Sequence, residues 1–574
     1  MNFLNPIYTE ETECQDCYKC IRQCPVKAIR VENGHAMVIP ELCIMCGQCV
    51  TNCPSKAKHV RDDLARTKQL LTLRDKVIVS LAPSFVSDFS EYSPQQIIAA
   101  LKHLGFFGVS ETAIGADIVS KQLALDFAEN NEQKLFLSSA CPCTVEYIKQ
   151  FKPDFAPYIT DRASPLLAHA RYLKTIYGED IGIVFIGPCI AKKRESDIWK
   201  DIDVVLTFND LRRWFQQENI HPEYYNSTDT SHSFIPEKAA KGALYPIEGG
   251  MIASIKKYSP LSQWKTLAVA GIAEIPAALE GLIPDNLSEP LFIEMLACGG
   301  GCLNGPGTRK NQSTALKRVN LLDYAQNCKD TTATETTIDL TGTLPVVDIS
   351  PRKHSFEEIR NALRQVGKYT LSDELNCASC GYDTCRAFAE AMLDHRAEKT
   401  MCVSYMRKLA QKKANGLFKA IPNGVVIADK NLEIVECNQK FAKLMGKDIE
   451  EMFEAKPGLE GADLTKIAGF SKYFAEVLSA HGPEVIEREV REGKKIFHIS
   501  IFVIETEEVA GAVIEDITAP QVQKNRIVSQ AKKVIDKNLS VVQKIAFLLG
   551  ENAAETESIL NSIIESFSDD EGVR

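Results

Sequence analysis

From Val77 onward the chain alternates short apolar runs with longer amphipathic stretches. The apolar runs read VIVSLAP, KLFLSSAC, IGIVFIGPC and DVVLTF, and helical patterns such as Pro94 to Leu104 and Pro165 to Tyr177 lie between them. Short, nearly continuous apolar runs that alternate with helical patterns are typical of parallel strands buried on both faces. The pattern therefore predicts an α/β domain with helices packed on a parallel sheet.

A different pattern occupies residues 413–519. GVVIAD and LEIVEC read as two strands around an Asp-Lys-Asn turn, NQKFAKLMG as a short helix, and KKIFHISIFVIE and VAGAVIEDIT as further strands. This order resembles a PAS domain, down to the strand that ends in Asp-Ile-Thr. A PAS fold implies sensing, signal relay or dimerisation. His498 or Cys437 could bind a cofactor there, although a lone His in a strand is more often an ordinary packed or exposed side chain.

The last fifty residues carry two apolar stripes at helical spacing. They consist of Leu539, Val542, Ala546 and Leu549, and of Ile559, Leu560, Ile563, Ile564 and Phe567. Such stripes need a covering surface, which can be each other, a twin chain or another protein. We expect a homodimer and a separate signalling protein, a kinase or phosphatase, or a redox partner.

Two copies of the run C-x2-C-x2-C-x3-C-P lie near the start of the chain. In this bacterial ferredoxin run the fourth cysteine of each copy binds the cluster of the other copy. Zinc sites use one or two C-x2-C pairs, so a zinc module is the weaker interpretation. The run predicts two 4Fe-4S clusters, one held by Cys14, Cys17, Cys20 and Cys53 and the other by Cys24, Cys43, Cys46 and Cys49.

Three further islands supply four more thiols. They are SSACP around Cys141, GPCIAKKRE around Cys189, and EMLACGGGCLNGPG, which holds Cys298 and Cys302. Glycine permits the close backbone approach that a ligand loop needs, but C-x3-C alone is a weak signal. Two islands follow predicted strands directly, where sites in α/β domains usually lie. Four thiolates are the number that a cubane cluster needs.

In order, spacing and residue type the islands resemble the signature loops of the FeFe hydrogenases, over residues 1–345. The resemblance implies an H-cluster, in which a 4Fe-4S cubane joins a di-iron unit that carries CO, CN and a bridging dithiolate. It implies that Cys141, Cys189, Cys298 and Cys302 hold the cubane and that Cys302 bridges to the di-iron unit. It also implies catalytic roles for Lys192, as a donor to a cyanide, and for Glu195 and Glu294, with further matches at Pro83, Ser84, Ser164-Pro165 and Gly249-Gly250.

A last cysteine group follows the Thr-rich connector at residues 327–351. Cys377, Cys380, Cys385 and Cys402 resemble the single-cluster domain of corrinoid iron-sulfur proteins. This resemblance implies a fourth 4Fe-4S cluster, with zinc as the runner-up. Cys143, Cys328 and Cys437 remain, and we expect each to be an ordinary thiol rather than a ligand.

Charge, length and cysteine use set the broad class. The 574 residues carry a net charge of −10 with acids and bases interspersed, which disfavours nucleic acid as a partner. No basic leader or membrane-length apolar window is present, so we expect a cytoplasmic chain without a membrane association. The predicted architecture is multidomain α/β and α+β. Its parts are a ferredoxin-like domain at 1–75, a two-lobed H-cluster domain at 76–345, a small 4Fe-4S domain at 352–412, a PAS domain at 413–519 and C-terminal helices at 520–574.

Three functional hypotheses remain open. One is a sensor that activates H2 slowly and reversibly and passes its redox state to the PAS domain. The others are a catalytic hydrogenase that exchanges electrons with ferredoxin or a partner subunit, and an iron-sulfur scaffold without the di-iron unit. In the fast enzymes a proton-relaying cysteine stands where this chain has Ala140, and relay glutamates are absent from IVSKQLALDF. Where the fast enzymes have Met in a Met-Pro-Cys loop, this chain has Gly187, and we expect the missing side chain to leave space near the di-iron unit.

These departures, with the PAS domain, favour the sensor. A methyl group cannot pass a proton, so we expect protons to move slowly between the site and solvent. Glu195, Lys193 or ordered water could still provide another route. The run Lys-Lys-Arg-Glu after Cys189 would ordinarily be a solvated face. Its position beside a ligand cysteine favours a functional role for Lys192 instead.

Overall fold

The structure is a computed structural model. It describes residues 5–129, 133–229, 231–310, 312–328, 338–342, 344–345, 353–493 and 495–518, with six more between 533 and 541. The chain forms two compact units, Met1–Cys402 and Val403–Arg574. Most of the predicted C-terminal helical segment lies outside the described residues. Among the described helices, none combines the length and the apolar character that a bilayer crossing requires.

The described strands of the first unit form four sheets. In chain order they are β1 (Ile7–Thr9), β2 (Ile29–Glu32), β3 (His35–Val38), β4 (Lys58–Val60), β5 (Val77–Leu81), β6 (Gly108–Glu111), β7 (Leu135–Leu137), β8 (Gly182–Gly187), β9 (Val204–Thr207), β10 (Lys265–Ala270) and β11 (Leu291–Leu296).

The helices of this unit lie between and after the strands. They are α1 (Lys19–Gln23), α2 (Gln48–Asn52), α3 (Leu64–Leu73), α4 (Phe85–Asp88), α5 (Pro94–His103), α6 (Ala113–Glu129), α7 (Pro142–Phe151), α8 (Pro165–Tyr177), α9 (Ala191–Ile198), α10 (Phe208–Gln217), α11 (Gly250–Lys256), α12 (Ile275–Leu279), α13 (Thr314–Gln326), α14 (Phe356–Gln365) and α15 (Cys385–Leu393).

The two ferredoxin runs fold into matching halves. Helices α1 and α2 follow Tyr18 and Gly47, whose φ angles of 54° and 73° turn the chain sharply out of each cysteine loop. Each helix carries the third cysteine of its run, Cys20 or Cys49, and both are buried. Strand β1 pairs with β4 and β2 with β3, all antiparallel. The duplicated motif therefore produces a duplicated fold.

Two parallel sheets form the core of the larger α/β region. One has the order β6-β5-β8-β9 and the other β10-β11-β7. Every residue of β5 and β8 is buried, as strands covered on both faces require. Helix α5 begins with a capping box, in which Ser93 accepts from the backbone of Gln96, and Ser164 caps α8 by accepting from the Leu167 amide. The predicted parallel sheets and two lobes are confirmed.

The second unit contains one antiparallel sheet. Its elements are α16 (Val403–Ala420), β12 (Gly424–Asp429), β13 (Ile434–Cys437), α17 (Gln439–Met445), α18 (Lys447–Ala455), α19 (Leu464–Ile467), α20 (Lys472–Val477), β14 (Val485–Glu492), β15 (Lys495–Glu505) and β16 (Val509–Asp516).

The five strands have the order β13-β12-β16-β15-β14. The predicted turn between β12 and β13, the short helix after them and the two later strands are all present. Phe441, Phe470, Phe474 and Phe497 are buried between the sheet and the helices. Asn438 joins the end of α16 to this core, because its amide nitrogen donates to the Phe418 carbonyl at 3.2 Å and its oxygen accepts from the Val425 amide at 2.9 Å.

Candidate metal centre

The three cysteine islands meet at the carboxyl ends of the parallel strands. Cys141 follows β7, Cys189 follows β8, and Cys298 follows β11. They surround a cavity with about 670 Å³ of empty volume, whose wall includes Cys141, Cys189 and Cys302. Cys298 is not part of that wall, but its thiol lies close enough to Cys302, Cys189 and Cys141 for each of them to raise its pKa. The fold thus assembles the predicted cubane ligands from distant segments.

The thiols at this cavity are difficult to ionise without a bound cation. Burial raises the pKa of Cys189 to about 11, and the neighbouring Cys141 adds to the shift while Lys192 opposes it. Burial also holds the pKa values of Cys298 and Cys302 far above that of a free thiol. Iron binding at this site must therefore displace protons, which couples cluster insertion to pH.

Lys192 and Glu195 lie one helical turn apart on α9 and share a network with Ser164. The Lys192 ammonium donates to the Ser164 hydroxyl at 2.9 Å and to the Glu195 carboxylate at 2.5 Å, and the Ser164 hydroxyl donates to the other carboxylate oxygen. Lys192 lines the cavity, whereas Glu195 is 1% exposed. The pair therefore holds a cation at the cavity wall with its counter-ion behind it.

The neighbouring Lys193 has a structural role. Its side chain is fully buried, and its ammonium donates to Asp63 at 3.0 Å and to the Val205 carbonyl at 2.8 Å. Although burial works against the charge of Asp63, Lys193 and Arg61 together hold the pKa of Asp63 below its ordinary value. The solvated-face interpretation of Lys-Lys-Arg-Glu is wrong, since these side chains are held in ion pairs. Lys193 is also not among the residues that line the cavity.

Three further predicted residues line the cavity, but the expectation for Gly187 is wrong. Pro83, Ser84 and Ala140 line it, and the buried Ser84 hydroxyl has no hydrogen-bond partner among the described residues. The expectation that Gly187 leaves space is wrong, because the Phe185 ring fills it. A Cβ at Gly187 would lie 2.4 Å from that ring. Sequence reasoning missed Phe185 because it looks like any other residue of a buried strand.

Glu294 lies behind the wall rather than on it. Burial raises its pKa to about 7, and the Ile252 amide, which donates to the carboxylate at 3.1 Å, opposes the shift. The other carboxylate oxygen is buried and has no partner within the described part of the chain. The structure therefore does not bring Glu294 to the cavity surface with Lys192, although its carboxyl can take up and release protons near neutral pH.

The dicluster cysteines group as the ferredoxin run predicts. Cys24, Cys43, Cys46 and Cys49 line one cavity of about 310 Å³ of empty volume. Burial raises the pKa of Cys20 to about 11, and the thiols of Cys17, Cys14 and Cys53 all act on it. Among the described residues no three acidic, His or Cys side chains converge as ligands of a single ion. The two sets match the exchange of the fourth cysteine between runs.

Cys143 lies between these sites, a placement that sequence reasoning missed. It is 2% exposed on α7, and burial raises its pKa well above the ordinary value, with Cys46 and Cys141 adding to the shift. Arg194 also reaches from α9 to the dicluster loop, donating to the Cys43 carbonyl at 3.3 Å. The dicluster set around Cys46 is therefore adjacent to the cubane set. Only the spacing of Cys143 two residues after Cys141 could have indicated this.

The third cysteine module forms a smaller site. Burial raises the pKa of Cys380, and the thiols of Cys402 and Cys377 add to the shift. The Cys385 amide donates to the Asn376 side chain at 2.8 Å, which fixes the start of α15. Cys377 is exposed, whereas Cys385 and Cys402 are buried. Cys377, Cys380 and Cys402 therefore lie close together, and Cys385 is at the start of α15.

Comparison with known families agrees with this arrangement. A 4Fe-4S dicluster domain matches residues 6–54, and the C-terminal domain of the iron only hydrogenase large subunit matches 75–306. A putative Fe-S cluster family matches 373–404, and a PAS domain matches 413–473. The first three matches contain the cysteine groups described above, and the PAS match contains β12 and β13.

Individual relatives are distant. The chain is 25% identical to the periplasmic Fe hydrogenase large subunit of Nitratidesulfovibrio vulgaris over 53% of this chain and 86% of that protein. It is 24% identical to iron hydrogenase 1 of Clostridium pasteurianum, over 46% of this chain and 55% of that protein. A probable cytosolic Fe-S cluster assembly factor of Drosophila grimshawi is also 24% identical, over 41% of this chain and 61% of that protein.

Among solved structures, a variant of the FeFe-hydrogenase HydA1 from Chlamydomonas reinhardtii is 18% identical. It matches 47% of this chain and 91% of that chain with a TM-score of 0.39. Along one polypeptide the chain has segments that match a 4Fe-4S dicluster domain, the C-terminal domain of the iron only hydrogenase large subunit, a further Fe-S cluster family and a PAS domain.

Proposed function

We propose that the chain is a sensory FeFe hydrogenase that activates H2 slowly and reports redox state through its PAS domain. The observation that carries the proposal is Ala140, a methyl group on the cavity wall next to Cys141. A group that can accept and release a proton at such a position speeds acid-base steps by roughly 10²–10⁴-fold. An enzyme built for electron disposal would lose this gain, and it would have no use for a PAS domain.

The residues present fit an H-cluster. Cys141, Cys189, Cys298 and Cys302 would hold its cubane, and the cavity beside them offers room for a second group. The unpartnered Ser84 hydroxyl and the Lys192 ammonium are donors that would bind cyanide ligands. When bound, the di-iron group supplies heterolytic cleavage of H2.

The chain's own residues would hold that group and limit its proton traffic. Glu195 is the counter-ion of Lys192, with 2.5 Å between the ammonium nitrogen and a carboxylate oxygen. The Ser164 hydroxyl ties both groups to the start of α8 and keeps the ammonium at the cavity wall. Ala140 and Phe185 close the wall with apolar surface, so protons must pass through less direct groups. Both features favour retention of a redox state over rapid turnover.

Infrared spectroscopy of the matured chain tests the proposal. We expect CO and CN stretching bands together with iron and sulfide for four 4Fe-4S clusters. Lys192→Met should shift the CN bands and leave the CO bands less affected, because the ammonium would donate to a cyanide. Lys174→Met removes a lysine that pairs with Asp201 at 2.9 Å away from the cavity, and it is the matched control.

An iron-sulfur scaffold is the second candidate. It is favoured by the 24% identity to a probable cytosolic Fe-S cluster assembly factor, which equals the identity to iron hydrogenase 1. A protein with complete cubanes but without CO and CN bands after maturation would support the scaffold and refute the hydrogenase.

A further inference from the structure

The third cysteine module lies directly against the dicluster domain. Gly381 follows Cys380 with a φ of 93°, and a Cβ at this position would be 2.6 Å from Cγ2 of Ile21. Ile21 belongs to α1 and is fully buried. Only glycine allows the backbone of the cysteine loop to come this close to α1, the helix that carries Cys20.

Two cations of the dicluster domain bind the same loop. Arg22 donates to the Ser379 carbonyl at 3.2 Å and to the Cys17 carbonyl at 3.1 Å, so one guanidinium joins the cysteine loops of both modules. Lys27 donates to the Gly381 carbonyl at 2.8 Å. Planar Arg is suited to such a bridge because its fork presents several donors in fixed directions.

A second contact fixes the orientation of the module. The Val31 amide of β2 donates to the Arg396 carbonyl at 3.1 Å, and the Asn33 amide donates to the Glu398 carboxylate at 2.9 Å. Both acceptors lie between α15 and Cys402. The module is therefore held at two separated places, on α1 and on the β2–β3 turn.

We propose that the cluster site of Cys377, Cys380, Cys385 and Cys402 is an electron-transfer branch of the dicluster domain, joined to it across α1 and the Arg22 bridge. One electron passes from a reduced 4Fe-4S cluster in one module to an oxidised cluster in the other, and no bond or proton changes. This inference rests on the proposed function in one respect, since H2 activation would supply the electrons. Cys402 is followed in sequence by α16, the segment that leads to the PAS domain.

Electron paramagnetic resonance of the full chain tests this proposal, with dithionite as the reductant. Two reduced clusters in adjacent modules split or broaden each other's signals and speed each other's spin relaxation. We expect the wild type to show an interaction beyond that among the other clusters, and Cys377→Ser/Cys380→Ser, which lacks the third cluster, to lose this additional interaction. A wild-type spectrum equal to the variant's spectrum plus that of an isolated cluster would overturn the proposal.

Three variants test the route. Gly381→Ala should weaken the interaction because its Cβ collides with Ile21. Gly367→Ala is the matched control, because Gly367 has a φ of 70° in the same module but no atom within 4 Å of a Cβ. Arg22→Ala/Lys27→Ala removes the two cationic contacts without changing the sequence of the cysteine loop around Gly381. If Gly381→Ala loses iron, this double variant becomes the test of the route. An undiminished interaction in that double variant, at full iron content, would overturn the assigned route.

These outcomes are separate from the fate of the proposed function. Dithionite reduces the clusters whether or not H2 is activated, whereas the infrared bands report only on the di-iron group. A chain with coupled clusters and no CO or CN bands would keep the branch and lose the hydrogenase.

Discussion

Ala140→Cys is the substitution that most directly tests slow proton supply. It places a thiol on the cavity wall beside Cys141. A complete relay contributes roughly 10²–10⁴-fold, but it needs a chain of groups that exchange protons. Beyond residue 140 the structure offers Glu294, which lies behind the wall with a pKa of about 7. It also offers the hydrogen-bonded network of Ser164, Lys192 and Glu195, in which the carboxylate is held by the other two side chains.

The thiol can therefore restore only the first transfer. We expect turnover to rise by about tenfold, which corresponds to about 1.4 kcal/mol of activation free energy, and to remain far below the full gain of a relay. Film voltammetry of the matured protein measures this change. Ala113→Cys is the control, because Ala113 also lines the cavity and its thiol would not occupy the relay position.

Two results would refute the reasoning. Wild-type currents as large as those of a fast hydrogenase would mean that protons already reach the site by another route. An unchanged current in Ala140→Cys, with all clusters present, would mean that proton supply at this position does not limit turnover.

Two further predictions concern stability. Asp63→Asn should destabilise the apoprotein by about 3 kcal/mol near neutral pH, because the buried Lys193 ammonium loses the nearer of its two carboxylates and keeps only Asp210 at 3.5 Å. The exposed Asp62→Asn should cost about 1 kcal/mol or less. Since the pKa of Asp63 is lowered by folding, its contribution is complete above the unfolded value near about 4 and is lost as the pH falls through the folded value, so the urea midpoints of wild type and Asp63→Asn should converge in acid. Gly187→Met should clash with the Phe185 ring and Phe185→Ala should leave a cavity that costs about 3–5 kcal/mol, so the double variant should have a higher urea midpoint than either single one. A double variant no more stable than both singles would contradict the proposed competition for one space.

The sequence predicts the cysteine sites well because their information is local. The spacing of a ferredoxin run states which four thiols share a cluster, and the structure brings Cys24 together with Cys43, Cys46 and Cys49 accordingly. Apolar runs likewise predict β5 and β8, whose residues are all buried, and α8 has the predicted bounds of Pro165 and Tyr177.

Strand β6 shows why other parts were not predictable. Its sequence is GVSE, which has no apolar run, yet all four residues are buried. The Ser110 hydroxyl bonds to the His169 ring at 2.8 Å, and Glu111 accepts from Tyr324. Partners from remote elements make burial of these polar groups possible, and no local pattern contains them.

The same limit applies at the cavity. Lys193 looks like a solvated lysine until Asp63, about 130 positions earlier, is placed beside it. Phe185 looks like an ordinary strand residue in the sequence, but in the structure its ring fills the space that the missing side chain of Gly187 leaves. Burial of a charge and the filling of a gap depend on the assembled fold.

Asn438 has a mechanical consequence for the second unit. Its side chain binds the carbonyls of Phe418 and Asn423 and the amides of Val425 and Phe441, so it has no spare hydrogen-bonding group. Sliding α16 along its axis would break the bond to Phe418, the one member of the set that lies on α16, whereas a small twist would only bend it. The joint is stiff to translation and compliant to rotation. A movement of α16 that starts at Val403 would therefore be transmitted to β12 mainly as a rotation of the helix.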